Sequence, residues 1–208
     1  MTDTARLYLV TPVVNDAATF APALEAACGA GETAALLLRL APADDRAQIN
    51  RIKQLAPVAQ QHGAAVLVDA SPQAAVRGGA DGVHLTAPDQ ETLEQALETL
   101  QPDRVVGVSV AGAEMRHNAM IAGEANVDYL MFGGPDQDSD ATLEQAEWWA
   151  GVFATPCVAY ASSMDQVGPL AATGAEFVAL GPWAFEGDVA AAVRQAAQIL
   201  ASTEVATA

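Results

Sequence analysis

The stretch AVLVDASPQAAVRGGADGVHL, residues 65–85, contains one complete structural unit and decides the fold. Ala65–Asp69 is a short apolar run that reads as a buried strand. Pro72–Gly78 reads as a helix, with proline in its first turn and Gly78-Gly79 where a glycine ends a helix. Gly82–Leu85 is a second apolar run. A strand, a helix and a strand in such quick succession predict parallel strands joined by a helical crossover.

The same alternation extends in both directions. The strands predicted are Leu7–Val13, Ala35–Leu40, Ala65–Asp69, Gly82–Leu85, Val105–Val110, Tyr129–Phe132, Cys157–Ala161 and Phe177–Leu180. Between and after them lie helices predicted at Ala18–Cys28, Arg46–His62, Pro72–Gly78, Gln90–Leu100, Ala113–Glu124, Thr142–Phe153, Met164–Thr173 and Asp188–Leu200. Ile49, Ile52, Leu55, Ala56 and Ala59 recur at helical spacing. Gly79-Ala80-Asp81-Gly82 and Thr173-Gly174-Ala175-Glu176 are near-repeats, each a helix exit feeding a strand. With no break in composition, residues 1–208 are expected to form one α/β domain, a (β/α)8 TIM barrel. A doubly wound open sheet is the alternative; the element count and length favour closure.

Composition agrees. Apolar residues make up 51% of the chain and aromatics only 5%, so the core must be built from Ala, Val and Leu. That suits parallel strands buried on both faces. No run approaches the roughly 18 apolar residues a membrane-spanning helix needs, and Met1–Arg6 lacks a signal-type pattern. Cys28 and Cys157 lie far apart with no metal-ligand spacing and read as buried apolar residues of a reducing compartment. A cytoplasmic location is expected.

The 26 acidic residues face eight arginines and one lysine, Lys53, for a net charge of −17. That field repels nucleic acid and anionic membranes. It also constrains substrates, because a diphosphate needs local positive charge.

In a barrel of this kind, chemistry belongs just beyond the C-terminal ends of the strands. Arg39, in an apolar strand, is costly to bury unpaired, so it either meets an anion at the mouth or bridges to a strand-end carboxylate. Asp69 and Asp89 stand where two carboxylates can share Mg²⁺ with phosphate oxygens; each can equally cap the helix that follows. His84 is a candidate acid/base or a structural tie between strand ends, and the structural role is preferred. Ser109 ends strand 5. Gly133-Gly134 after strand 6 permit close backbone approach to a ligand. Ser162 and Ser163 after strand 7, with Gly181 after strand 8, are candidates for an anion nest, which Pro182 weakens by lacking an N–H. Tyr160 and Trp183 offer rings for stacking. Finally, acids at positions 1, 3, 5, 9 and 12 of residues 136–147 match a calcium-loop template, but Ala141 replaces its glycine and no helix precedes it.

The segments LVDASPQAAVRGGADGVHLTAPD (67–89), VVGVSV (105–110), VDYLMFGGP (127–135) and GAEFVALG (174–181) resemble the thiamine-phosphate synthase and thiazole tautomerase family over nearly the whole chain. The resemblance implies a (β/α)8 barrel that joins a pyrimidine diphosphate to a thiazole phosphate, with Mg²⁺ neutralising the departing pyrophosphate. The resemblance matches Arg39, Ser109 and Asp89 to family positions, with Asp69 one residue from another such position. Together with the strand-end reading, the candidates are Arg39, His84 and Ser109 for catalysis, Arg39, Gly133, Ser162, Ser163 and Gly181 for substrate binding, and Asp69 and Asp89 for Mg²⁺. Several family residues are replaced. Of Gln-x-Arg-x-Lys after strand 2 only Arg39 survives, with Leu37 and Ala41 in the flanking places. The family's Asn-Asp becomes Asp69-Ala70, and the tautomerase histidine after strand 5 becomes Ala111. The Thr-x-x-Lys after strand 6 gives way to the acidic residues 136–140, the Gly-Gly after strand 7 to Ala161-Ser162, and the Ile-Ser after strand 8 to Gly181-Pro182.

Cations and phosphate-cradling glycines disappear together. Each such contact is worth roughly 10²–10³ in rate, by analogy with oxyanion donors. Three readings follow: a working synthase; a divergent paralogue that binds a thiamine-precursor-like ligand with weakened or altered activity; or a non-catalytic regulatory or partner-binding barrel. The divergent paralogue is preferred, with a homodimer as its assembly.

Overall fold

The computed structural model describes residues 4–110, 112, 114–135 and 141–207. Ala111 and the acidic residues 136–140 lie outside them. Eight parallel strands close in sequence order into a barrel: β1 (Arg6–Val10), β2 (Thr33–Leu38), β3 (Ala65–Val68), β4 (Gly82–Thr86), β5 (Val105–Val110), β6 (Tyr129–Phe132), β7 (Cys157–Ala161) and β8 (Phe177–Leu180). Around them run α1 (Ala17–Cys28), α2 (Asp45–Gln60), α3 (Pro72–Gly78), α4 (Gln90–Leu100), α5 (Met115–Glu124), α6 (Thr142–Val152), α7 (Val167–Ala171) and α8 (Val189–Thr207). The expected (β/α)8 barrel is the observed fold.

Strand parity sorts the apolar residues into two cores. Side chains such as Leu9, Leu36, Val83, Val106 and Leu130 face the helices and join one large cluster. Tyr8, Val10, Leu37, Leu67, Tyr129, Met131, Val158 and Tyr160 fill the barrel itself.

Acids, joined by one serine, secure both ends. Asp16, Asp44, Ser71, Asp89 and Asp188 each accept an amide proton at a helix start, and each such cap is worth about 1 kcal/mol. At the opposite face, Asp81, Asp128 and Glu176 accept the amides of Val66, Val106 and Cys157 at 2.7–2.8 Å. The acid of each near-repeat is therefore a clamp on the neighbouring strand. Part of the acidic surplus is architectural.

Several boundaries differ from expectation, α8 most in length, running to Thr207 rather than Leu200. β1 stops at Val10 rather than Val13, because Pro12 has no N–H for the ladder. β2 stops at Leu38 rather than Leu40, because side chains take over: Arg39 N–H donates to Thr11 Oγ1 and Leu40 N–H to Asp69 Oδ1. The helix expected at Met164–Thr173 divides into a 3-10 turn, Met164–Gln166, and α7.

Candidate active site at the barrel mouth

The substitution of side-chain for ladder bonds after β2 lifts Arg39 out of the sheet and delivers it, half-buried, to the mouth. There it lines a cavity of about 140 Å³ with Asp69, His84, Thr86 and Ser109, closed by Leu37, Met131 and Gly134-Pro135. Four residues singled out in the sequence, from four different strand ends, thus converge on one space. Arg39 is the one cation among the described residues that line it.

Asp69 does not cap the helix after it, since Ser71 fills that position. Its carboxylate opens onto solvent at the mouth while Oδ1 accepts the Leu40 amide at 2.9 Å. Desolvation by the surrounding protein raises its pKa; the Leu40 amide and the Arg39 charge oppose that rise.

His84 is 3% exposed and has both ring nitrogens engaged. Nδ1 lies 2.8 Å from the Tyr129 hydroxyl and Nε2 lies 2.7 Å from Ser109 Oγ. The Tyr129 hydroxyl in turn meets that of Tyr8 at 2.9 Å. Burial pushes the His84 pKa down to about 3, so the ring is neutral at ordinary pH. The two bonds tie the His84 ring to β5 through Ser109 and to β6 through Tyr129.

The loops after β7 and β8 turn their donors inward. The Ser162 amide and hydroxyl both point at Gln166 Oε1, at 2.8 and 3.0 Å. Both Ser162 donors are therefore engaged within the loop. Trp183 Nε1 donates to the Ala161 carbonyl at 2.8 Å and ties the two loops together. The space that Gly181 leaves open is filled by the Tyr160 hydroxyl, and that of Gly133 (φ +76°) by the Thr142 hydroxyl. Tyr160, expected as a stacking platform, is instead 3% exposed within the barrel, because its strand parity points it inward. Ser163 is exposed and opens the 3-10 turn without a side-chain cap.

A family model described as thiamine monophosphate synthase matches residues 7–181. A thiamine-phosphate synthase of Rhodospirillum centenum is 37% identical over 202 residues, spanning 93% of this chain and 96% of that protein. One of Hyphomonas neptunium is 36% identical over 214 residues, with the same shares. The chain belongs to the thiamine monophosphate synthase family. Among solved structures, the thiamine phosphate pyrophosphorylase of Pyrococcus furiosus superposes with a TM-score of 0.80 over 97% of this chain and 98% of its own, at 24% identity, a likeness of fold.

Within this family member, Asp89 follows β4 and does not line the Arg39 cavity itself. It is the N-cap of α4, accepting the Thr92 amide at 2.8 Å, and the contact with Thr92 holds its carboxyl below the usual range. It lines a different cavity, between α4 and α5, with Leu93, Val108 and Ile121. Ser109 lines both that cavity and the mouth cavity that Asp69 borders, and among the described residues no three His, Cys, Asp or Glu side chains converge as a metal cluster. The described part of the calcium-like stretch begins as α6, and its Glu144 accepts from Arg116 at 3.0 Å.

Sequence reading missed Tyr8, Tyr129, Gly107 and Gln166. Gly107 sits between His84 and Tyr129 in the strand register, and a Cβ there would overlap the Tyr129 ring. The available signal was parity: Gly107 shares a face of its strand with Ser109, and Tyr129 is the aromatic that begins β6.

Proposed function

We propose that the mouth cavity binds a thiamine-precursor-like small molecule and that the family's transfer, joining a pyrimidine diphosphate to a thiazole phosphate, runs here at a much reduced rate. One observation carries the reading. Arg39, Asp69, His84 and Ser109 meet in one cavity, while the Ser162 donors that would hold a phosphate are spent on Gln166. The reading keeps a pocket for a ring and withdraws the Ser162 donors from its charged tail.

In this reading Arg39 holds an anionic or acceptor group, Ser109 binds the ligand through a hydroxyl oriented by His84, and Asp69 accepts from a donor on the ligand. Mg²⁺ supplies charge neutralisation to a leaving diphosphate. Asp69, which lines the mouth with one oxygen not engaged by the Leu40 amide, would hold it together with water and substrate oxygens. Gly133 and Gly181 act by making room for Thr142 and Tyr160, and Ser163 borders the loop. The reading extends to a cytoplasmic homodimer. Free, buried Cys28 and Cys157 support a reducing location, and exposed Met120 and Ile121 on α5 supply an apolar surface for association.

The test is turnover of pyrimidine diphosphate and thiazole phosphate with Mg²⁺, set beside a family enzyme that carries the full Gln-x-Arg-x-Lys motif. Thermal shifts with the phosphate-free pyrimidine and thiazole alcohols complete it. The expected result is stabilisation by an alcohol and turnover lower by about 100-fold or more. Equal turnover defeats the claim of a reduced rate; no shift with either alcohol defeats the claim of a ligand site.

A further inference from the structure

We propose that the buried inner end of the chain Tyr8–Tyr129–His84–Ser109 fixes the direction of all its hydrogen bonds, making His84 the Nε2–H tautomer and presenting the Ser109 hydroxyl proton to the mouth as a donor. The three links measure 2.9, 2.8 and 2.7 Å. In a neutral imidazole one nitrogen donates and the other accepts, so only two directions make every link and leave the spare proton at an end of the chain; any mixed order strands a buried group in the middle.

Outward, Tyr8 donates to Tyr129, Tyr129 donates to Nδ1, and Nε2–H donates to Ser109 Oγ. Every buried proton is then used, and the one left over belongs to Ser109, which lines the mouth cavity. Inward, Ser109 donates to Nε2, Nδ1–H donates to Tyr129, and Tyr129 donates to Tyr8. The proton left over now belongs to Tyr8, 1% exposed among Val10, Leu37 and Leu67. Among the described residues, the Tyr8 hydroxyl has Tyr129 as its one hydrogen-bond partner. A buried donor left unmade favours the outward order by about tenfold to a hundredfold.

Burial excludes the escape of protonating both nitrogens, since it opposes the charged ring. Gly107 makes the chain possible by leaving room for the Tyr129 ring beside His84. Tyr129 is thus a positioning residue acting through His84, well removed from the mouth. The consequence for a ligand rests on the mouth being its site: Ser109 and Arg39 both offer donors, so they select a ligand atom that accepts, such as an unprotonated ring nitrogen. The tautomer itself does not depend on that reading.

The experiment is long-range ¹H–¹⁵N correlation NMR of the histidine-labelled full chain at neutral pH, paired with calorimetry using the phosphate-free thiazole alcohol as probe. In the wild type and in Tyr8→Phe, His84 should show a protonated Nε2 and a bare Nδ1. In Tyr129→Phe the preference should collapse to a mixture and affinity for the probe should fall about tenfold. An Nδ1–H ring in the wild type or in Tyr8→Phe overturns the proposal, whether or not Tyr129→Phe folds. So does a Tyr129→Phe ring with an unchanged preference. If the wild type shows Nε2–H yet binds no probe, the direction stands and the ligand reading of the mouth fails.

Discussion

The Tyr129 hydroxyl reaches Nδ1 of His84 at 2.8 Å across the position of Gly107, whose missing side chain leaves room for the ring. A methyl group there has to displace the ring or the strand. Gly107→Ala is expected to cost about 1–3 kcal/mol, the range for overpacking a core, and to break the link to His84. Urea unfolding measures the first effect. An unchanged midpoint would show that the space is not needed.

His84 should make stability fall with acid. Its folded-state pKa is held at about 3, below the value near 6.5 of an exposed ring. Between those values the unfolded chain binds a proton that the folded chain refuses, so stability is lost as pH falls from about 6.5 toward 3. The full slope from one such proton is about 1.4 kcal/mol per pH unit. His84→Gln should remove up to that much slope between pH 6 and 4, read from unfolding curves against the wild type. Parallel curves would show that the ring is not buried neutral.

Gln166 occupies the donors of the β7 loop. Gln166→Ala releases the Ser162 amide and hydroxyl, and hydrogen bonds to a charged group contribute about 1.5–3 kcal/mol each. Affinity for inorganic phosphate should rise about tenfold or more in a titration. No gain would show that the loop cannot serve as a cradle even when empty.

The two candidate metal carboxylates should separate by phenotype. Asp89→Ala removes a helix cap and is expected to cost about 1 kcal/mol of stability while leaving probe binding intact. Asp69→Asn should weaken Mg²⁺ and ligand binding with little loss of stability. Equal effects of both on Mg²⁺ binding would place them in one site after all.

The fold was legible because a parallel barrel repeats one message: an apolar run, a cap, an amphipathic helix, a glycine exit. Arg39, Asp69, His84 and Ser109 were legible for a related reason, since polar residues at the ends of apolar strands have few places to go but the mouth. The sequence could not show how the loops spend their donors. Whether Ser162 meets an anion or Gln166 depends on the turn between them, and nothing in spacing alone records it. Nor could it separate Asp69 from Asp89. Both precede helices, but Ser71 relieves Asp69 of capping and no such residue relieves Asp89. Gly181 was read as a cradle for the same reason that makes it a socket for Tyr160: either use requires an absent side chain.

The central claim is that the mouth keeps a ring pocket and has lost its hold on a polyphosphate. Calorimetric titration of the chain with pyrophosphate in the presence of Mg²⁺ tests it most directly. Heat no greater than dilution up to millimolar concentrations is the predicted result. Saturable micromolar binding, lost on mutation of the loops after β7 and β8, would contradict it.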